Sequence, residues 1–244
     1  QFKRDDYQIK VSYIINNQSQ NTWEANFSGK IVRDQSGDPS SQTSMGMQSF
    51  LGMALSSAEK PYEKYDFSDL KESPINQTIQ GGWVAFIQHY FLSAWIPSAD
   101  EQHTYQSRFK NGLHLMGFIS PVTQVAVGET KTIEASLYIG PKIIERLEQI
   151  APKLDLTVDF GWLFFIAYPL FLLLDFLHGI LGNWGLAIIG VTIVVKAIFF
   201  KLSAASYRSM ANMRRVAPKL KSLKDQYGDD RQKMSSAMME LYKK

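Results

Sequence analysis

Apolar and polar positions alternate with period two through the first part of the chain. Tyr7, Ile9, Val11, Tyr13 and Ile15 are separated by Gln8, Lys10, Ser12 and Ile14, the pattern of a half-buried strand. Asn16-Asn17 gives a turn, and Trp23, Ala25 and Phe27 open a second strand. Asp34 to Gln48 is rich in Ser, Gly, Gln and Asp and reads as an exposed loop. Phe50 to Leu55 is an apolar interruption without a clear assignment. Gly81-Gly82 predicts a tight turn into Trp83–Ile87, a run too apolar to have a solvated face and therefore a central strand. His89-Tyr90-Phe91 and Ala94-Trp95-Ile96-Pro97 follow, and further strands are predicted near His103–Phe109, Leu113–Ile119, Val122–Val127 and Lys131–Ile139. In the last, Ile133, Ala135, Leu137 and Ile139 are expected to form the buried face. Short strands at this spacing predict an antiparallel β-sandwich over residues 1–141.

The period then changes. Pro141 suits the first turn of a short helix, with Ile143, Ile144, Leu147 and Ile150 on one face, ending at Ala151-Pro152. It is expected to pack on the sandwich, and an extended link then completes residues 142–160. Gly161 to Leu181 is strongly apolar but contains Pro169, Asp175, His178 and Gly179. Its aromatic residues, Trp162 and Tyr168 among them, match a belt at headgroup level. Residues 161–182 are therefore expected to lie in a membrane interface rather than cross it. Residues 183–203 are predicted to cross, with Trp184 as an anchor at the start. A helix from Trp184 to Ser203 reaches about 30 Å at ~1.5 Å per residue, the depth of a bilayer's hydrocarbon core.

Gly185, Thr192, Lys196 and Ser203 form one small or polar stripe on that helix. A lysine there costs at least ~2.5 kcal/mol on insertion scales, so the stripe is expected to face protein or water. Two readings of Lys196 stay open from spacing alone: a functional intramembrane cation, or a side chain that snorkels to the headgroups. Residues 204–244 predict a helical hairpin, with helices near 205–227 and 230–244 divided at Gly228 and capped by Asp229 or Asp230. Met210 and Met213 recur at helical spacing on the first. Ten basic residues face four acidic ones in 204–244. Arg208, Arg214, Arg215, Lys219 and Lys221 lead that excess, which assigns the segment to the cytoplasm and the β domain to the periplasm.

Composition narrows the chemistry. The chain of 244 residues has no Cys and a net charge of +3. The missing thiols exclude a disulfide framework and thiolate metal sites or nucleophiles. Residues 161–200 hold only two formal charges, Asp175 and Lys196. Gln1 is not an initiator and no signal peptide is visible, so the sequence reads as part of a longer protein. His89, His103 and His114 are the candidates for catalysis or metal binding. No HxH, HExxH or G-x-S-x-G spacing supports them, and structural roles are expected. No cofactor, metal or specific nucleic-acid site is expected.

Several motifs occur in a fixed order: Gly81-Gly-Trp-Val-Ala-Phe-Ile-Gln-His-Tyr-Phe91, Ala94-Trp-Ile-Pro97, Leu154-Asp-Leu-Thr-Val-Asp-Phe-Gly-Trp162, Asn183-Trp-Gly185, Gly228-Asp-Asp230, and Met238-Met239 with Leu241-Tyr242-Lys243. Together they resemble the YidC membrane-protein insertase family of Gram-negative bacteria. The resemblance implies a periplasmic β-supersandwich, a non-enzymatic insertase and chaperone role at the inner membrane, and further spanning helices on either side. It also implies a hydrophilic groove with one cationic residue, here Lys196, and with Thr192 a turn away. Implied partners are nascent membrane proteins, the Sec translocon, the ribosome and the lipid bilayer. Lysine stands where the family usually has arginine, and Lys201 where it usually has proline. The rival reading is a membrane-anchored periplasmic binding or scaffold protein. A mutarotase-like enzyme would need paired His and carboxylates in one cleft.

Overall fold

The computed structural model describes residues 4, 6–37, 50–161, 163–227, 232, 235, 236 and 239; the side chains of 216, 219–221 and 223–227 lie outside that description. The chain divides into two compact units, Gln1–Asp159 and Phe160–Lys244.

Among the described residues the first unit carries ten strands. They are β1 Gln8–Asn16, β2 Trp23–Arg33, β3 Gly52–Ser56, β4 Glu63–Tyr65, β5 Asn76–Gln80, β6 Trp83–Ile87, β7 Phe91–Ile96, β8 Gln102–Lys110, β9 Leu113–Val125 and β10 Thr130–Pro141. A six-stranded sheet runs β1-β10-β7-β6-β3-β4, and a four-stranded sheet runs β2-β9-β8-β5. Their pairings are antiparallel, so the fold is the expected β-sandwich. Its described residues also form two α-helices, α1 Phe67–Glu72 and α2 Ile144–Ile150.

The six-stranded sheet is covered on both faces, which is why Trp83–Ile87 are all buried. Val84 and Phe86 meet Tyr105, Met116 and Phe118 between the sheets. Trp83, Ala85 and Ile87 pack on the other face against Tyr138, Leu147 and Leu154. Leu147 is fully buried, and a leucine so placed stabilises by ~1.5–3 kcal/mol. The turn ahead of β6 uses glycine at two left-handed positions, Gly81 and Gly82, with φ of 60° and 80°. Tyr105 donates to the Gly81 carbonyl at 2.7 Å and fixes that turn.

The structure corrects the strand assignment at several points. β9 is one strand through Pro121, where two had been expected. The register shifts between Asn26 and Ser28, so Phe27 stands opposite Ser120 and Pro121. That bulge absorbs the missing N–H of proline. Ser120 compensates, because its hydroxyl accepts from the Phe27 N–H at 2.9 Å and its carbonyl from the Asn26 amide at 2.8 Å. In β10 the buried set differs from the expected one: Tyr138 is fully buried under α2, whereas Ile139 is 51% exposed. Pro141 ends β10 instead of opening α2. The expected extended link contains a 3-10 helix, Leu154–Thr157, closed by the Thr157 hydroxyl donating to the Leu154 carbonyl at 2.6 Å.

The second unit is helical: α3 Phe164–Leu181, α4 Trp184–Ile198 and α5 Phe200–Tyr227. α3 runs through Pro169 and α5 through Pro218. The single straight helix expected over 184–203 is divided at Phe199, where α4 and α5 meet at 61°. The remainder of the expected hairpin, and most of the 34–48 loop, lie outside the described residues.

Candidate functional site: the polar stripe of α4

Asn183 starts α4, its side-chain oxygen accepting the Leu186 N–H at 3.2 Å. Gly185 leaves room for that cap, since a Cβ there would stand 3.2 Å from the Asn183 oxygen. From the first turn onward α4 packs on α3. Ala187 is fully buried, and Gly190, Val191, Val194 and Val195 are half-buried. Gly190 lies against Leu177 of α3.

The stripe occupies the other side. Ala187 and Lys196 are nine residues apart, about two and a half turns, so Lys196 points away from α3. Thr192 and Gly185 share that face and are exposed with it. Thr192 donates to the Ile188 carbonyl at 2.9 Å, which satisfies its hydroxyl proton within the helix and leaves lone pairs outward. Lys196 has no ion-pair partner among the described residues. Ser203 does not extend the stripe. It lies on α5, beyond the break at Phe199. The structure thus brings Gly185, Thr192 and Lys196 onto one face and sets Ser203 apart.

The other predicted residues are dispersed. Tyr168 is half-exposed and meets the Phe160 ring edge-on at 5.9 Å. Trp184 stacks on His178 at the turn between α3 and α4, a contact that no sequence pattern indicated. Trp162 lies outside the described residues. Arg208, Arg214 and Arg215 are exposed on α5, and Met210 and Met213 are exposed as well. Lys219 and Lys221 are helical, but their side chains are outside the described set.

The three histidines of the sandwich lie apart in structural settings. His103 is buried, with Nε2 2.8 Å from the Ser98 carbonyl, and its ring meets Phe118 edge-on. The His114 ring meets those of Phe67 and Phe109 in tilted contacts, centroids 4.7 and 4.6 Å away, and burial, with a smaller contribution from Lys71, lowers its pKa. His89 stacks on Tyr90. Among the described residues, no group of His, Asp and Glu is placed to hold a metal ion. An open cleft of about 330 Å³ lies between edge strands β1 and β2 and is lined by Tyr13, Trp23, Phe27 and Ile133.

Comparison with known proteins covers the full chain. Residues 1–173 match the family model described as the YidC periplasmic domain, and residues 176–244 match that of the 60Kd inner membrane protein. A membrane protein insertase YidC of Marinobacter nauticus is 59% identical over 241 residues, covering 99% of this chain and 42% of the relative. The corresponding protein of Hahella chejuensis is 58% identical over 247 residues, covering all of this chain and 43% of the relative. That of Ectopseudomonas mendocina is 53% identical over 239 residues, with 98% and 41% covered. The chain therefore spans less than half the length of these curated relatives.

Proposed function

This chain belongs to the YidC family, and from that premise we propose that the whole protein inserts nascent proteins into the inner membrane and helps them fold. The chain is an inner-membrane protein with a periplasmic β domain. The observation that carries the mechanism is the position of Lys196 and Thr192 opposite the α3 seam. A plain anchor has no reason to carry a cation on the face left free by its partner helix.

Moving a polar client tail across hydrocarbon is costly because each unsatisfied polar group costs several kcal/mol there. A hydrated, cationic groove within the bilayer shortens the apolar path. The Lys196 ammonium attracts acidic residues of the tail, and Thr192 keeps the surface wettable. The client's apolar segment then partitions into lipid beside α4. No bond is made or broken, so no catalytic residue is involved. Lysine supplies the charge as a compact point without the planar fork of arginine. The exposed Arg208, Arg214 and Arg215 of α5, with Lys219 and Lys221, receive clients or ribosomes on the cytoplasmic side, and the Sec translocon is a partner.

Charge and parity support one crossing within this chain. The β domain is periplasmic, and a basic α5 favours the cytoplasm. An odd number of crossings must separate them. α3 is 18 residues long with mean hydropathy 1.9, so it meets the length and composition of a span by itself. α4 has 15 residues and needs the first turns of α5 to reach across. If both crossed, the basic helix would return to the periplasm. We assign the crossing to α4 with the start of α5, and α3, with its Pro169, Asp175 and His178, to the periplasmic interface.

The test is insertion of a client with an acidic periplasmic tail by the full-length protein carrying Lys196→Ala or Lys196→Glu. Insertion is expected to fall about tenfold, equivalent to ~1.4 kcal/mol, in the first variant and further in the second. Unchanged insertion in both rejects the groove mechanism.

A further inference from the structure

The solvent face of the four-stranded sheet has a depression at its centre. Lys30 of β2, Gly117 of β9 and Gln106 of β8 form one cross-strand row. The middle member has no side chain, and none would fit: a Cβ on Gly117 would stand 2.2 Å from the Gly29 carbonyl oxygen. Leu115 and Ile119, two residues to either side along β9, bound the gap along the strand. Arg108 pairs with Leu115 from β8. The result is a cavity of about 230 Å³, half-open to solvent, room for one or two side chains.

Its chemistry is one-sided. Lys30 and Arg108 are both exposed, stand diagonally across the depression, and have no ion-pair partner among the described residues. At strand spacings of ~4.8 Å and ~3.4 Å per residue their Cα atoms are roughly 12 Å apart, within convergence range of two long side chains. No carboxylate lines the cavity. The rest of the lining is largely apolar, with Leu115 and Ile119 beside Gly117, and Gln106 is among the lining residues.

We propose that this depression binds an extended acidic peptide segment. A carboxylate of the segment sits between Lys30 and Arg108, and an adjoining apolar side chain rests on Leu115 and Ile119. Charge-assisted hydrogen bonds to a carboxylate are about twice as strong as neutral ones, and bidentate pairing with Arg108 fixes its orientation. The two-residue side-chain period of an extended peptide matches the rows of the sheet. A bilayer would meet a broad face rather than a depression of one side chain's depth, so a peptide is favoured over a lipid headgroup. The inference does not depend on the insertion mechanism, because it concerns a surface of the periplasmic unit that involves no residue of α4.

The experiment uses the full-length protein in nanodiscs of neutral lipid and a fluorescent synthetic peptide in which Asp and Leu alternate, followed by anisotropy. Saturable binding is expected, weakened at least tenfold by Lys30→Glu and by Arg108→Glu, retained by Lys30→Arg, and reduced by Leu115→Trp, which fills the gap. These side chains lie on the solvent face, and unchanged circular dichroism of each variant separates loss of the site from loss of the fold. No saturable binding overturns the proposal, as does equal binding of a Lys-Leu alternating peptide. A charge-reversal effect seen only with anionic vesicles, and not with the peptide, assigns the surface to lipid and overturns it too. Insertion by these variants remains a separate readout, so failure here is distinguishable from failure of the Lys196 mechanism.

Discussion

The His178 imidazole lies flat on the Trp184 indole, with ring centroids 3.7 Å apart and planes 9° from parallel. The two residues flank the Gly182-Asn183 turn. Gly182 holds a left-handed conformation there, φ 63°, and its N–H is bonded to the His178 carbonyl at 2.8 Å. The stack closes the same turn from the side-chain direction, so α3 and α4 are tied where they are joined. An aromatic pair of this kind stabilises by ~0.5–1.5 kcal/mol beyond its buried area. A double-mutant cycle of His178→Ala and Trp184→Ala should return a coupling of that size in thermal unfolding. Amide exchange at Gly182 should quicken in either variant. Strict additivity would show that the stack contributes nothing to the turn.

Trp83 is the clasp between the sandwich and the segment that follows α2. It is fully buried, and its Nε1 donates to the Pro152 carbonyl at 3.0 Å. Trp83→Phe keeps most of the packing and leaves that carbonyl without its donor. The expected loss is ~0.5–1.5 kcal/mol. Trp83→Ala also opens a cavity against Leu147 and Leu154 and should cost ~3–5 kcal/mol. Urea unfolding followed by circular dichroism measures both. A Phe variant as damaging as the Ala variant would mean that the hydrogen bond, not packing, holds this junction.

The sandwich was legible in the sequence because its central strands are unambiguous. Trp83–Ile87 has no polar position, and both faces prove to be covered. β5 was missed because an edge strand need not be apolar: Asn-Gln-Thr-Ile-Gln buries little and is held by its ladder to β8. The error at Tyr138 and Ile139 has a different cause. Period-two reasoning assumes that one cover extends along the whole strand, but in β10 the cover changes from the second sheet at Ala135 to α2 at Tyr138. Lys196 and Thr192 were legible as a stripe because polar residues are rare in residues 161–200. The break at Phe199 was not, since neither Gly nor Pro marks it, and with it went the alignment of Ser203. The depression at Gly117 left no trace in the sequence, because it depends on which strand lies beside β9.

His114 should make stability fall on acidification. Burial, and to a lesser degree the charge of Lys71, holds its pKa below the usual 6.5. The folded state therefore resists a proton that the unfolded chain accepts. Full stability is present above about pH 6.5 and is lost as pH falls from there toward the lowered folded value. His114→Phe keeps the ring contacts with Phe67 and Phe109 and removes the titration. Its urea midpoint should decline less than that of the parent between pH 7 and pH 5. Parallel decline in the two proteins would place the acid sensitivity elsewhere.

Membrane topology can be tested by single-cysteine labelling in a cysteine-free background, to which this chain contributes no cysteine of its own. Three single replacements suffice: Leu163→Cys just before α3, Leu181→Cys at its end, and Arg208→Cys on α5. With α3 in the periplasmic interface, a membrane-impermeant maleimide added to intact cells with a permeable outer membrane labels positions 163 and 181 alike. Position 208 reacts only after the inner membrane is opened. With α3 crossing instead, position 181 moves to the cytoplasmic side and joins position 208, or α4 returns the chain and position 208 reacts from outside. Each pattern is distinct, and only the first places the Lys196 face within the bilayer between a periplasmic sandwich and a cytoplasmic basic helix. Labelling at 163 and 181 together, with protection at 208, is the expected result. Protection at 181 in intact cells would remove α3 from the interface and with it the parity on which the orientation of Lys196 depends.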